Sequence, residues 1–107
     1  MVERFDIWST EPREIMPGYR GRFVHSEHTT HAYWEIDAAS PLPEHSHPHE
    51  QIVNMLEGTF ELIVDGTSHV LNAGDVLVIP GGTPHSGRSH TACKILDVFS
   101  PVREEYR

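Results

Sequence analysis

Several features are scarce in this chain, and each scarcity excludes something. A single cysteine, Cys93, rules out an internal disulfide. No apolar run approaches the roughly 20 residues that a bilayer-crossing helix needs, so no membrane partner is expected. Basic side chains are few, 8 against 16 acidic ones, and the formal charge of −8 repels a phosphate backbone, so no nucleic-acid partner is expected either. Helix signals are scarce too. Eight prolines and eight glycines punctuate the sequence, and few windows carry an apolar stripe of period 3.6. The first residues, Met1 to Asp6, lack the basic and apolar regions of a secretion signal, so a cytoplasmic location is the expectation.

What is present is strand pattern and histidine. Hydrophobic residues make up 37 % of 107, enough for one core, and a single domain over 1–107 is expected. Ala32, Trp34 and Ile36 alternate with Tyr33 and Glu35. The runs 52–56 and 60–64 follow, with an Asp65-Gly66 hairpin turn, then Val70-Leu71, 76–79 and a last strand over about 92–99. Short strands at this spacing predict an all-β sandwich or barrel. The piece from Trp8 to Met16 reads as irregular or as a short edge segment.

Nine histidines are more than charge balance explains. His45 and His47, one residue apart, are expected on one face of an extended strand, and Gln51 has the same parity. His85 arrives from a separate segment behind Pro80-Gly81-Gly82-Thr83-Pro84. Neutral imidazoles gathered from distant segments are how a chain surrounds a divalent metal. Gln51 adds an amide oxygen to the candidate ligands, and Glu50 beside it is a rival if the strand is bulged.

The same residues resemble the two cupin motifs. The first reads His45-x-His47-x3-Gln51-x6-Gly58, without the leading glycine and with Gln where Glu is usual. The second reads Gly74-x5-Pro80-x-Gly82-x2-His85-x3-Ser89, with Ser in place of the final Asn. They occupy about 45–58 and 74–89. This resemblance implies a double-stranded β-helix (a jelly-roll-like β-barrel), one divalent transition metal per chain (Ni, Zn, Fe or Mn), and a homodimer. Three histidines with a glutamine resemble the KdgF type of small cupin, which opens the ring of 4,5-unsaturated uronates from pectin or alginate. That family has an Asp, a Phe and an Arg at matching spacing near its C-terminus, here Asp97, Phe99 and Arg103.

The resemblance makes Asp97 the candidate acid–base residue. Parity puts it among Cys93, Ile95 and Phe99, where water is limited. An inward acid paired structurally with Arg or His fits the sequence equally well. Phe99 reads as a wall of the site. Arg103 is a candidate clamp for an anionic sugar acid, and a solvated tail charge is the alternative. Arg20 and Arg22, sharing a face, are further substrate candidates. His49 has ligand parity but falls outside the cupin ligand pattern, so a supporting or rim role is expected; His25, His28, His31, His69 and His90 read as surface or loop residues. Two other function classes stay open: an iron-dependent cupin dioxygenase, and a cupin that binds a small ligand without turnover.

Overall fold

The computed structural model describes residues 1–107 as ten antiparallel strands with one 3-10 turn near each end. The strands are β1 (Arg13–Met16), β2 (Tyr19–His25), β3 (Thr30–Ile36), β4 (Pro41–His45) and β5 (Glu50–Glu57), then β6 (Phe60–Val64), β7 (Thr67–Leu71), β8 (Val76–Ile79), β9 (His85–Ser89) and β10 (Cys93–Ser100). Six form one sheet in the order β1-β2-β3-β10-β5-β8, and four form the other, β4-β9-β6-β7. No helix is long and apolar enough to cross a membrane.

Strict alternation builds the larger sheet. Along β3, Thr30, Ala32, Trp34 and Ile36 are buried while the residues between them are half-exposed, and β10 buries Cys93, Ile95, Asp97 and Phe99 in the same way. Period two therefore sends one side of each strand into the space between the sheets. There, apolar residues of both sheets, among them Trp34, Met55, Phe60, Leu62, Ile79 and Phe99, form one cluster. The Asp65-Gly66 turn is present, with φ of 47° and 81° as a two-residue hairpin demands.

Strand β2, and all of β4 and β9 beyond the histidines they carry, escaped the sequence reading. β2 opens with Tyr19-Arg20-Gly21-Arg22, β4 is proline-rich, and β9 reads His-Ser-Gly-Arg-Ser, none of which carries a β-branched run. Ladder pairing on both sides holds β9, and β2 is likewise paired with β1 and β3. Trp8 to Met16 divides into the 3-10 turn Ile7–Ser9 and the edge strand β1.

Candidate metal centre and ligand cavity

His45 ends β4, but His47 lies beyond it, where the chain crosses from the four-stranded to the six-stranded sheet before entering β5. Shared strand parity, the sequence argument for joining His45, His47 and Gln51, is therefore not what brings them together. The crossing does so at one end of the barrel. His85 opens β9 directly opposite His45, with ring centroids 4.3 Å apart. The loop before it packs on the crossing segment: Gly82 N–H donates to His47 O at 2.7 Å, and a Cβ on Gly81 would stand 2.3 Å from Pro48 O. Glycine at 81 is what lets the two loops close around the histidines.

One nitrogen from each of His45, His47 and His85 lies within 4.8 Å of those from the others. Their remaining nitrogens are all tied to main-chain carbonyls. Nδ1 of His45 meets Pro43 O at 2.9 Å, that of His47 meets His49 O at 3.0 Å, and that of His85 meets Thr83 O at 2.9 Å. A carbonyl only accepts, so each Nδ1 carries a proton, and in a neutral ring that puts the lone pair on Nε2. Nε2 of His85 is buried and has no partner. Burial, with Arg103 and His85 nearby, lowers His47 to about 4, and burial also lowers His85, so both are neutral at pH 7. Three imidazoles, each oriented through its Nδ1, are a donor set that can hold a divalent metal.

Gln51 and Asp97 stand beside them on the neighbouring strands β5 and β10. Gln51 pairs with Phe99, and Asp97 lies between Ala32 and Val53 in register. Both flanking residues are almost fully buried, which desolvates the carboxyl. Burial pushes Asp97 up to about 7, against the opposing pull of the Gln51 amide, the Trp34 indole and the Arg103 charge. Its Oδ1 is buried and unpartnered. Gln51 and Trp34 sit diagonally from Asp97 across the ladders, within reach of long side chains. The Gln51 amide lowers Asp97 as a donor to the ionised form does, so its NH2 is the end turned to the carboxyl. Its Oε1 faces His47 Nε2 at 3.1 Å. Glu50 is exposed.

His45, His85, Gln51 and Asp97 line a cavity of about 250 Å³, otherwise walled largely by apolar side chains such as Trp34, Phe60 and Leu62. Phe99 and Arg103 are part of it. The Arg103 guanidinium lies 4.7 Å from the Phe99 ring centre and 4.4 Å from that of Tyr106, and it bonds Glu105 at 2.5 Å. Asp97 has no salt bridge with it.

Arg20 and Arg22 are not brought to this cavity. Tyr19, Gly21 and Phe23 are the β2 residues on the inner face, so the arginines between them point outward. Arg20 pairs with exposed Asp37 at 2.9 Å, and Arg22 is taken up by Glu35 and by Thr10 O. His25 is a second correction, being half-buried in β2 and bonded on both ring nitrogens. His49 is buried and donates from Nε2 to Val102 O at 3.2 Å. Sequence reading missed Trp34 and Tyr106 as cavity residues. The inward parity of Trp34 was available as a signal; Tyr106, in a short terminal turn, offered none.

The sequence profile of the family described as "Cupin domain" matches residues 32–99. The chain belongs to the cupin family. Among curated proteins, the cupin is 48 % identical over 50 residues to quercetin 2,3-dioxygenase of Bacillus subtilis (strain 168). That stretch is 47 % of this cupin and 14 % of the relative's length. Among solved structures, KdgF from Halomonas sp. superposes over the whole of both chains with a TM-score of 0.94 at 24 % identity. An RmlC-like cupin from Shewanella frigidimarina NCIMB 400 superposes over 99 % of this chain and 97 % of its own, with a TM-score of 0.92 at 29 % identity. The fold is a double-stranded β-helix, that of a small cupin resembling KdgF.

Proposed function

We propose that this cupin is a metal-dependent enzyme, working as a single domain over 1–107, that opens the ring of 4,5-unsaturated uronates to 5-keto-4-deoxyuronates. The observation that carries it is a buried carboxyl near pKa 7, its Oδ1 without a partner, sharing one cavity with Arg103 and with His45 and His85 of the three-histidine cluster.

His45, His47 and His85, with the oxygen of Gln51, would hold the metal. When bound, it supplies Lewis-acid support for negative charge on a substrate oxygen. Arg103 binds the substrate carboxylate, its guanidinium braced on Phe99. Asp97 Oδ1 takes the proton from the anomeric hydroxyl as the bond from the anomeric carbon to the ring oxygen breaks. The electrons of that bond leave on the ring oxygen as an enolate. Asp97 then delivers its proton to carbon 4, and the enolate becomes the ketone. No proton is gained or lost overall, as an isomerisation requires. A carboxyl titrating near neutrality suits both halves of this transfer, because neither protonation state is far from reach. Trp34 and Val53 limit water around it.

The test follows the ultraviolet absorbance of freshly made 4,5-unsaturated galacturonate. Decay faster than the spontaneous rate, abolished by chelator and restored by metal, is the expected result. Decay at the spontaneous rate with metal-loaded protein overturns the reading.

One observation favours a second reading, an iron-dependent dioxygenase: the 50-residue likeness to a quercetin 2,3-dioxygenase. Oxygen uptake by iron-loaded protein distinguishes it. The exposed Val76 and Val78 on the edge strand β8 support the homodimer that the resemblance implies.

A further inference from the structure

Beyond β10, residues 101–107 run back across the barrel as an arm. Strands of the larger sheet hold its main chain. Arg103 N–H donates to Thr30 Oγ1 at 2.9 Å, and that hydroxyl meets His25 Nδ1 at 2.9 Å. His25 Nε2 in turn reaches Tyr106 O at 3.2 Å, which also accepts from Arg13. His49 Nε2 reaches Val102 O. The donors and acceptors are consistent along the whole chain of contacts: Arg103 N–H to Thr30, Thr30 O–H to His25 Nδ1, His25 Nε2–H to Tyr106 O. Because the arm is gripped by its backbone, its side chains stay free to shape the cavity.

Tyr106 uses that freedom. Its ring stacks on Phe23 with centroids 4.6 Å apart and planes 25° off parallel, and it meets Trp34 edge-on at 5.8 Å. Phe23 leans edge-on against Trp34 at 5.5 Å, across a position where only glycine fits. A Cβ on Gly21 would come within 2.6 Å of Phe23 and 2.9 Å of Trp34. Tyr106 has a hollow on each side. One is the 250 Å³ cavity of the histidines. The other, about 380 Å³, is a more open groove lined in part by Phe23, Arg13 and His25. The inner cavity is smaller than the roughly 300–1,000 Å³ of sites for drug-sized ligands.

We infer that Tyr106, backed by Phe23, is the specificity-determining partition of this site. It confines the ligand to a carboxylic acid of one ring and excludes acids extended by a second. This rests on the reading of the cavity as a carboxylate site. His25, Thr30 and His49 are positioning residues for the partition, acting through the arm's main chain.

The test is calorimetric binding to the metal-loaded protein of two pairs of acids, galacturonate with digalacturonate and benzoate with biphenyl-4-carboxylate. Wild type should bind the smaller acid at least about tenfold more tightly, a gap of roughly 1.4 kcal/mol. Tyr106→Ala should join the two hollows and bring that ratio close to one, while Tyr106→Phe keeps it. Phe23→Ala opens the same wall from the other side, so the proposal remains testable if Tyr106→Ala fails to fold. A size gap seen only with the arene acids sinks the sugar-acid reading and leaves the partition standing. A ratio unchanged in both alanine variants overturns the partition, even if the monosaccharide is still turned over. Failure of wild type to bind any of the four acids overturns both.

Discussion

His47 Nε2 and Gln51 Oε1 face each other at 3.1 Å, and both are acceptors. The main-chain carbonyl on His47 Nδ1 fixes the ring, and an ionised Asp97, which only accepts, holds the Gln51 NH2 on its own side. Two lone pairs pointed together in a buried site are costly unless a cation lies between them. This is the feature of the centre that an ordinary hydrogen-bonded core would not contain.

Replacing His45 and His47 together by Ala should abolish metal binding, read as metal equivalents by mass spectrometry after dialysis. Chelator should lower the melting temperature of wild type and leave that of the double variant unchanged. With free metal at 100 times its Kd, the lost stabilisation is about 2.7 kcal/mol. A double variant that keeps a full equivalent refutes the ligand assignment.

Gln51→Glu should retain metal and shift the acid–base residue. It exchanges the amide donor beside Asp97 for a second carboxylate, and a like charge raises a neighbouring pKa. The limb of the pH–rate profile belonging to Asp97 should move to higher pH. A profile that stays put means that Asp97 is not the titrating group.

Asp97→Asn should leave metal content intact and slow ring opening by about 10²–10⁴-fold. It should also alter stability. Burial raises the folded-state pKa of Asp97 to about 7, so the folded carboxyl keeps its proton where an unfolded one has ionised. Relative to the Asn variant, the metal-free protein should therefore lose stability as pH rises from the ordinary carboxyl value through about 7, by an amount on the order of a few kcal/mol. His47 and His85, held neutral by burial, contribute in the opposite sense to both proteins. Urea unfolding at pH 5 and pH 8 reads this difference. In the Asn variant the contribution should vanish. An identical pH dependence in both proteins would show that Asp97 is not the source.

Thr30→Val should loosen the arm. The hydroxyl is fully buried between Arg103 N–H and His25, and valine leaves that amide without an acceptor. A loss of about 1–3 kcal/mol is expected in urea unfolding, with weaker binding of galacturonate and unchanged metal content. Unaltered stability would mean that water or another group takes over the bond.

Much of the fold was legible because alternation is a local property. Ala32, Trp34 and Ile36 on β3, and Cys93, Ile95, Asp97 and Phe99 on β10, declare their inward faces through period two alone. The spacing of His45, His47, Gln51 and His85 was likewise visible, as was the cupin pattern that they carry, and the family match bears that resemblance out. Tertiary structure decided the rest. Whether a strand faces in or out at a polar pair such as Arg20 and Arg22 depends on which neighbours it pairs with. Strand β2 presents Tyr19, Gly21 and Phe23 inward, leaving both arginines outside. The grouping of His47 with Gln51 comes from a chain crossing between sheets, which no parity rule describes. Asp97 owes its raised pKa to burial, and its flanking residues Ala32 and Val53 are adjacent to it only across ladders. Tyr106 enters the site because side chains from distant strands grip the backbone around it. Periodicity is set by neighbours in sequence, whereas burial, desolvation and loop closure are set by neighbours in space, and those exist only once the sheets have formed.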